Sequence, residues 1–167
     1  MEFKKQNFIH IINENRGTIR SLCKIYYGSN EDQKDAFQDI ILQLWKSFDT
    51  FRGESEISTW IYRVSLNTIL SKIKKEKKSI IVEPIDLHHY YISNAIADDN
   101  VELLLITIKS LKDIDKAIVV LHLEGYQNKE IAEILNLSST NVSTRFNRIK
   151  SQLKIKFNYE YHASRQS

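Results

Sequence analysis

The sequence predicts an all-α protein that consists of two small helical domains joined by a flexible linker. Apolar residues recur at intervals of three and four along most of the chain, which is typical of amphipathic helices. The 167 residues include only four glycines and one proline, fewer than the turns of a sheet protein require. The helical period is lost between residues 76 and 100, where the proline lies. We therefore predict domains at 1–75 and 101–160, a linker at 76–100 and a tail at 161–167.

The composition is that of an ordinary globular protein, with 42% hydrophobic and 27% charged residues. The single cysteine, Cys23, rules out a disulfide framework and indicates a reducing compartment. No apolar run approaches membrane-spanning length, and the N-terminus lacks the hydrophobic segment of a signal peptide. His88 and His89 are adjacent, but no further ligand stands at metal-binding spacing. We expect a cytoplasmic protein without membrane insertion, metal or other cofactor.

The first domain begins with a predicted helix over 4–27, which we expect to stop at Gly28, and a second helix over 30–48. One face of the second helix is apolar at helical spacing. Its opposite face combines acids, an amide and two large apolar side chains: Asp35, Gln38, Asp39, Leu42, Trp45 and Lys46. Apolar anchors within a polar rim predict a protein-docking surface. The alternative is that Trp45 belongs to the core.

A third helix is predicted over 57–75, after a polar loop at 49–56. Trp60, Arg63, Asn67 and Lys74 share one side of this helix at 100° per residue. An aromatic ring stacks on bases and cations follow phosphates, so the stripe predicts contact with single-stranded nucleic acid. Apolar residues occupy much of the remaining helix surface, so Trp60 as a core residue is the alternative.

The second domain ends in a predicted helix-turn-helix over 128–154, supported by two helices over 101–124 that Gly125 terminates. Asn128 is a candidate N-cap of its first helix and Ser138 of its second. The apolar stripe of the second helix contains Val142, Phe146, Ile149 and Leu153, which leaves Asn141, Thr144 and Arg148 facing outward, with Arg145 at the edge. Amides, hydroxyls and guanidiniums bind base edges and phosphates. The alternative is an ordinary surface hairpin.

The charge of the chain is banded, although the net charge is only +3. Residues 31–56 contain seven acids and three bases, residues 57–78 contain six bases and one acid, and residues 136–167 contain six bases and one acid. Two separate basic bands suggest two contacts with a polyanion, while the acidic band faces a different partner.

Four motifs follow one another along the chain. The acids and amide Asp35, Gln38 and Asp39 precede the loop Phe-Arg-Gly-Glu at 51–54, and the next helix reads Thr-Trp-Ile-Tyr-Arg-Val at 59–64, followed by Asn67. Residues 121–135 read LHLEGYQNKEIAEIL. The first three resemble region 2 of bacterial RNA polymerase sigma factors and the fourth resembles region 4. The sequence is similar to the small extracytoplasmic-function (ECF) class, whose fold would be a three-helix region 2 domain and a helix-turn-helix region 4 domain.

This resemblance implies a role for each surface. Core RNA polymerase would be bound by Asp35, Gln38, Asp39, Leu42 and Trp45. The −10 promoter element would be bound and opened by Phe51, Arg52, Glu54, Trp60, Arg63, Asn67 and Lys74. The −35 element would be read by Thr140, Asn141, Ser143, Thr144, Arg145 and Arg148. The partners implied are core polymerase, promoter DNA and an anti-sigma factor, with no small-molecule substrate.

The recognition helix departs from the family pattern. Relatives often have Gly-Thr-Val-Lys-Ser-Arg where this chain has Thr-Asn-Val-Ser-Thr-Arg at 140–145. Ser143 in place of the lysine removes a phosphate contact, and Asn141 becomes available to read a base. The amino-acid sequence therefore does not predict which promoter sequence is recognised.

Two other functions fit the residues without the resemblance. One is a stand-alone repressor or activator whose N-terminal half dimerises or senses a signal. The other is a helical adaptor that binds only protein. The sequence has no P-loop, no HExxH motif and no nucleophile–base pair, so we expect no catalysis by this chain.

Overall fold

The computed structural model describes residues 2–79 and 99–163, and within these ranges the regular structure is entirely helical. The helices are α1 (Glu2–Tyr26), α2 (Asn30–Ser47), α3 (Ile57–Ser79), α4 (Asp99–Lys109), α5 (Asp113–Leu123), α6 (Asn128–Leu135) and α7 (Ser139–Ala163), with a 3-10 turn at Phe48–Thr50. They form two compact units, one on each side of residues 80–98. The predicted all-α, two-domain fold is confirmed.

Part of the predicted organisation falls outside the described residues. Most of the predicted linker, including His88 and His89, lies there, as do the last four residues of the predicted tail. The third helix continues to Ser79, four residues beyond the domain boundary predicted at 75. Its last turn carries Lys77 and Lys78, and cations at a helix C-terminus interact favourably with the exposed carbonyl groups.

The N-terminal unit is a three-helix arrangement in which α1, α2 and α3 all pack against one another. Its fully buried large aliphatic side chains are Ile19 and Leu22 from α1, Ile40 and Leu44 from α2, and Ile61, Leu66 and Ile69 from α3. Burying each such aliphatic side chain contributes about 1.5–3 kcal/mol. The opposite side of α2 stays open, because α1 and α3 both lie on its apolar face.

The start of α2 is fixed by Ser29. The backbone N–H of Asp32 donates to Ser29 Oγ at 3.0 Å, which satisfies one of the unpaired amides of the first turn. Glu31 and Asp32 place negative charge beside the positive end of the helix dipole. These contacts determine where the helix begins, and hence which side chains occupy its open face.

The C-terminal unit is built on mutual packing of α5, α6 and α7, with α4 against α5 and α7. Its fully buried aliphatic side chains include Ile108, Ile118, Leu121, Ile131, Ile134, Val142 and Ile149. The predicted end of α5 at Gly125 is confirmed, since this glycine has φ +91° and Tyr126 N–H donates to Leu121 O at 3.0 Å. Asn136, with φ 53°, turns the chain between α6 and α7.

The two predicted N-caps have different outcomes. Ser138 caps α7 as predicted, since Asn141 N–H donates to Ser138 Oγ at 3.1 Å. The assignment of Asn128 was wrong, because α6 begins at Asn128 and its N-cap is Gln127, whose N–H donates to Glu130 Oε2 at 2.7 Å. The Asn128 side chain instead donates from Nδ2 to Ser143 Oγ at 2.7 Å and so ties α6 to α7.

Candidate polymerase and nucleic-acid interfaces

The open face of α2 carries the residues predicted to dock on protein. Asp35 and Gln38 are exposed, Asp39 is partly exposed, Leu42 is 49% exposed and Trp45 is 37% exposed. The five side chains follow one another along about three turns of a single helix. They combine acidic, amide and apolar groups on one accessible stripe, which is the composition of a protein interface.

Trp45 is both a packing and a surface residue. Its ring meets the Phe8 ring edge to face, with centroids 5.0 Å apart, and Lys4 Nζ lies 5.0 Å from its centroid. The indole is thus held by Phe8 and Lys4 of α1, while 37% of the residue stays exposed to solvent. A tryptophan fixed in this way presents apolar area at little cost in side-chain entropy.

Asp39 also forms an intramolecular ion pair across the unit. Lys72 Nζ of α3 donates to Asp39 Oδ2 at 2.7 Å, and this contact raises the pKa of the Lys72 amine. The Asp39 side chain is still 47% exposed, so the pair contributes only about 0.2–1 kcal/mol and the carboxylate retains an accessible oxygen. The ion pair fixes the aspartate without removing it from the face.

The structure corrects the interpretation of Trp60 as a base-stacking residue. Trp60 is only 7% exposed, and the centroid of its ring lies 5.0 Å from that of Phe51 and 6.1 Å from that of Phe48. Because a base stacks only on an accessible aromatic face, Trp60 belongs to the core, the alternative that the sequence left open. Phe51 is partly exposed and covers the tryptophan from the loop side.

The other predicted −10 residues differ in exposure along the loop and α3. Arg52 and Glu54 are exposed in the loop, Arg63 is partly buried, and Asn67 and Lys74 are exposed further along the helix. The Arg63 Nε atom is buried and has no hydrogen-bond partner among the described residues. The predicted −10 residues other than Trp60 therefore remain available for contact, and the Nε–H donor of Arg63 is unused by the described residues.

The recognition helix α7 presents the polar face that its sequence predicted. Thr140, Asn141 and Thr144 are exposed, while Val142 and Ile149 on the opposite face are fully buried. Ser143 is partly buried and accepts the hydrogen bond from Asn128, so its hydroxyl is committed to the contact between the two helices. Three exposed polar side chains on a helix of this kind match the groups that read a major groove.

Arg145 and Arg148 have a partner that the sequence analysis missed. Arg145 Nη1 donates to Asp115 Oδ1 at 2.8 Å, and Arg148 Nη2 donates to Asp115 Oδ2 at 2.9 Å. The Asp115 side chain is 5% exposed, whereas those of the arginines are 32% and 52% exposed. A sequence signal existed, since Asp115 lies three residues before the buried Ile118 on the inward stripe of α5. A buried carboxylate requires a cation.

His122 of α5 packs against α7. Its ring stacks on Phe146 with centroids 3.6 Å apart. Burial lowers the pKa of the imidazole, with a further decrease from Lys150, while the side chain of Asn128 acts in the opposite direction. His122 is consequently a neutral packing residue at neutral pH.

Within 2–79 and 99–163, no cluster of three or more His, Cys, Asp or Glu side chains has the arrangement of a metal site. In the same ranges, no helix combines the length and the apolar character needed to cross a bilayer.

A three-helix unit with a mixed acidic and apolar face, followed by a helix-turn-helix unit with a polar face, has the architecture of a DNA-binding regulatory protein. Comparison with known proteins gives the family. Residues 11–79 match the family described as Sigma-70 region 2, and residues 102–153 match Sigma-70, region 4. The two matches together span most of the chain, which belongs to the Sigma-70 family of RNA polymerase sigma factors.

Relatives named as ECF sigma factors match nearly the whole chain, which places it in the ECF class. An ECF RNA polymerase sigma-E factor of Haemophilus influenzae is 26% identical over 91% of this chain and 88% of its own length. The ECF sigma factor SigW of Bacillus subtilis is 25% identical over 88% of this chain and 87% of its own.

Two solved structures share the fold. The sigma factor RpoE of Bartonella quintana, in complex with the anti-sigma factor NepR, has a TM-score of 0.65 at 16% identity, over 95% of this chain and 98% of that one. CnrH, in complex with the cytosolic domain of CnrY, has a TM-score of 0.63 at 18% identity, over 93% and 90%.

Proposed function

We propose that this chain is a dissociable specificity subunit that binds core RNA polymerase and directs it to promoters with defined −10 and −35 elements. The observation that carries the proposal is the presence, in one chain, of an open acidic-apolar face on α2 and an open polar face on α7. Polymerase alone holds DNA mainly through phosphates, which carry no sequence information. The chain supplies recognition, and the chemistry of RNA synthesis belongs to the polymerase.

The α2 face is the proposed polymerase contact. Leu42 and the exposed part of Trp45 provide the apolar anchors, and Asp35, Gln38 and Asp39 provide the polar rim. The rim is acidic, so it selects a partner surface with basic residues.

The loop after the 3-10 turn and the open side of α3 are the proposed −10 contact. Unpairing DNA costs a few kcal/mol per base, and capture of an extruded base offsets that cost. With Trp60 buried, we assign base stacking to the exposed part of Phe51, which rests on the rigid tryptophan ring. Arg52, Arg63 and Lys74 supply positive charge for phosphates, and Asn67 supplies an amide for a base edge.

The outer face of α7 is the proposed −35 reader, through Thr140, Asn141 and Thr144. Arg145 and Arg148 lie beside this face and keep unused donors for phosphates. Since the solved RpoE structure is a complex with an anti-sigma factor, we also propose a protein inhibitor for this chain. This chain would act in the cytoplasm, where polymerase and chromosome meet.

The test is reconstituted transcription with purified chain and core polymerase on a library of fragments from the source genome. We expect initiation at a small set of promoters that share two elements. Arg63→Ala and Asn67→Ala should reduce permanganate reactivity of unpaired thymines at those promoters. A stand-alone regulator would instead bind DNA without polymerase as a symmetric dimer, and a protein-only adaptor would start no transcription; either result would refute the proposal.

A further inference from the structure

The side chains on the outer face of α7 are connected to a buried carboxylate in α5. Asp115 lies in the first turn of α5, where the helix dipole favours an anion, and binds one guanidinium with each oxygen. Arg145 extends the chain of contacts, since its Nε donates to Asn141 Oδ1 at 2.7 Å. The buried Asp115 thus holds the exposed amide of Asn141 in place through Arg145.

These contacts determine which end of the Asn141 amide is free. A guanidinium has only donors, so the Asn141 atom that faces Arg145 must be the carbonyl oxygen. The Nδ2 group consequently points away from Arg145, with both of its N–H donors available. In the major groove, acceptors are offered by purine N7, guanine O6 and thymine O4, whereas cytosine N4 and adenine N6 are donors.

We propose that Asp115 is a positioning residue for promoter recognition, which acts through Arg145 to hold Asn141 with its amide N–H groups toward DNA. Asn141 then discriminates against cytosine on the strand that it contacts, since each of the other three bases presents an acceptor in the major groove. This inference rests on the proposed role of α7 as the −35 reader. It assigns the base preference to a residue that lies in another helix and touches no DNA.

The burial of Asp115 and the two nitrogens that Arg145 uses explain why one carboxylate can orient Asn141. Asp115 is almost fully buried, so water competes poorly for its oxygens, and charge-assisted hydrogen bonds at such sites are stronger than neutral ones. Arg145 uses separate nitrogens, Nη1 and Nε, for Asp115 and Asn141. The planar guanidinium therefore transmits orientation from the acid to the amide, which a lysine cannot do.

The experiment uses reconstituted holoenzyme and a promoter set with all four base pairs at each −35 position. At one −35 position, wild-type chain should prefer the other three bases over cytosine on the contacted strand by roughly five- to tenfold, the value of about one hydrogen bond. Asn141→Ala should abolish that preference. Asp115→Ala and Arg145→Lys should abolish it at the same position, and adding Asn141→Ala to either should cause no further loss.

Asp113→Ala is the matched control, because it removes a carboxylate of the same helical turn that pairs with Lys116 of its own helix. It should keep the wild-type preference. If Asp115→Ala and Arg145→Lys weaken all promoters equally and keep the preference, Asp115 has only a structural role and the inference is overturned. If wild-type chain shows no preference at any −35 position, the role of α7 as reader fails first, and the inference fails with it.

Discussion

Leu42 provides the sharpest test of the α2 docking face. Its side chain is 49% exposed, so about half of its surface is still available for burial against a partner. Complete burial of a leucine contributes about 1.5–3 kcal/mol, which leaves roughly 1 kcal/mol for docking. Leu42→Ala should therefore raise the Kd for core polymerase about fivefold.

Ile9 is the matched control. It is 47% exposed and lies on α1 rather than on the α2 face, so Ile9→Ala removes a similar exposed aliphatic surface elsewhere in the same unit. The assay is fluorescence anisotropy of labelled full-length chain titrated with core polymerase, with thermal unfolding of each variant measured in parallel. Equal changes in Kd for the two variants, or no change for Leu42→Ala, would refute the docking face.

Three other predictions concern charge, packing and protonation. Asp39→Lys should weaken polymerase binding, and the double variant with Lys72→Asp should recover the ion pair and the unfolding midpoint but not the polymerase affinity. Trp60→Ala should reduce the free energy of unfolding by about 3–5 kcal/mol in urea titrations, since it empties a buried site. Because burial lowers the pKa of His122 in the folded protein, the unfolded chain takes up this proton first as the pH falls through about 6.5. Stability should therefore decrease with falling pH there, and less so in His122→Phe.

Each of these has a contradicting result. Restored polymerase binding in the Asp39–Lys72 charge reversal would mean that Asp39 acts only within the fold. An unchanged urea midpoint for Trp60→Ala would show that the Trp60 ring does not contribute to the core. Identical pH profiles for wild-type chain and His122→Phe would show that the histidine titrates alike in both states.

The positions of the helices followed from the sequence because local signals and burial agree. The apolar stripes of α2 and α7, the cap at Ser138 and the turn at Gly125 all use short-range chemistry that a single segment contains. The outward placement of Asn141 and Thr144 followed in the same way, since the opposite side of the helix had to be buried.

The role of Trp60 could not be predicted, because helical spacing groups side chains on a face without revealing what covers that face. Phe51 covers it, and Phe51 comes from a loop whose path is not periodic. Asp115 pairs with Arg145 and Arg148, which lie 30 and 33 positions further along the chain, and no local pattern connects residues so far apart. The error at Asn128 has the same origin, since its amide serves Ser143 of the next helix.

The division of α7 into free and tethered side chains bears on how such a regulator diverges. Thr140 and Thr144 point into solvent, where most substitutions change stability by less than about 0.5 kcal/mol, so selection can retarget the protein to new genes through them almost without penalty to folding. Arg145 and Arg148 have no such freedom while Asp115 persists, because replacing either strands part of a buried anion. Diverged copies should therefore vary at the threonines independently and change the acid and its two arginines as a set.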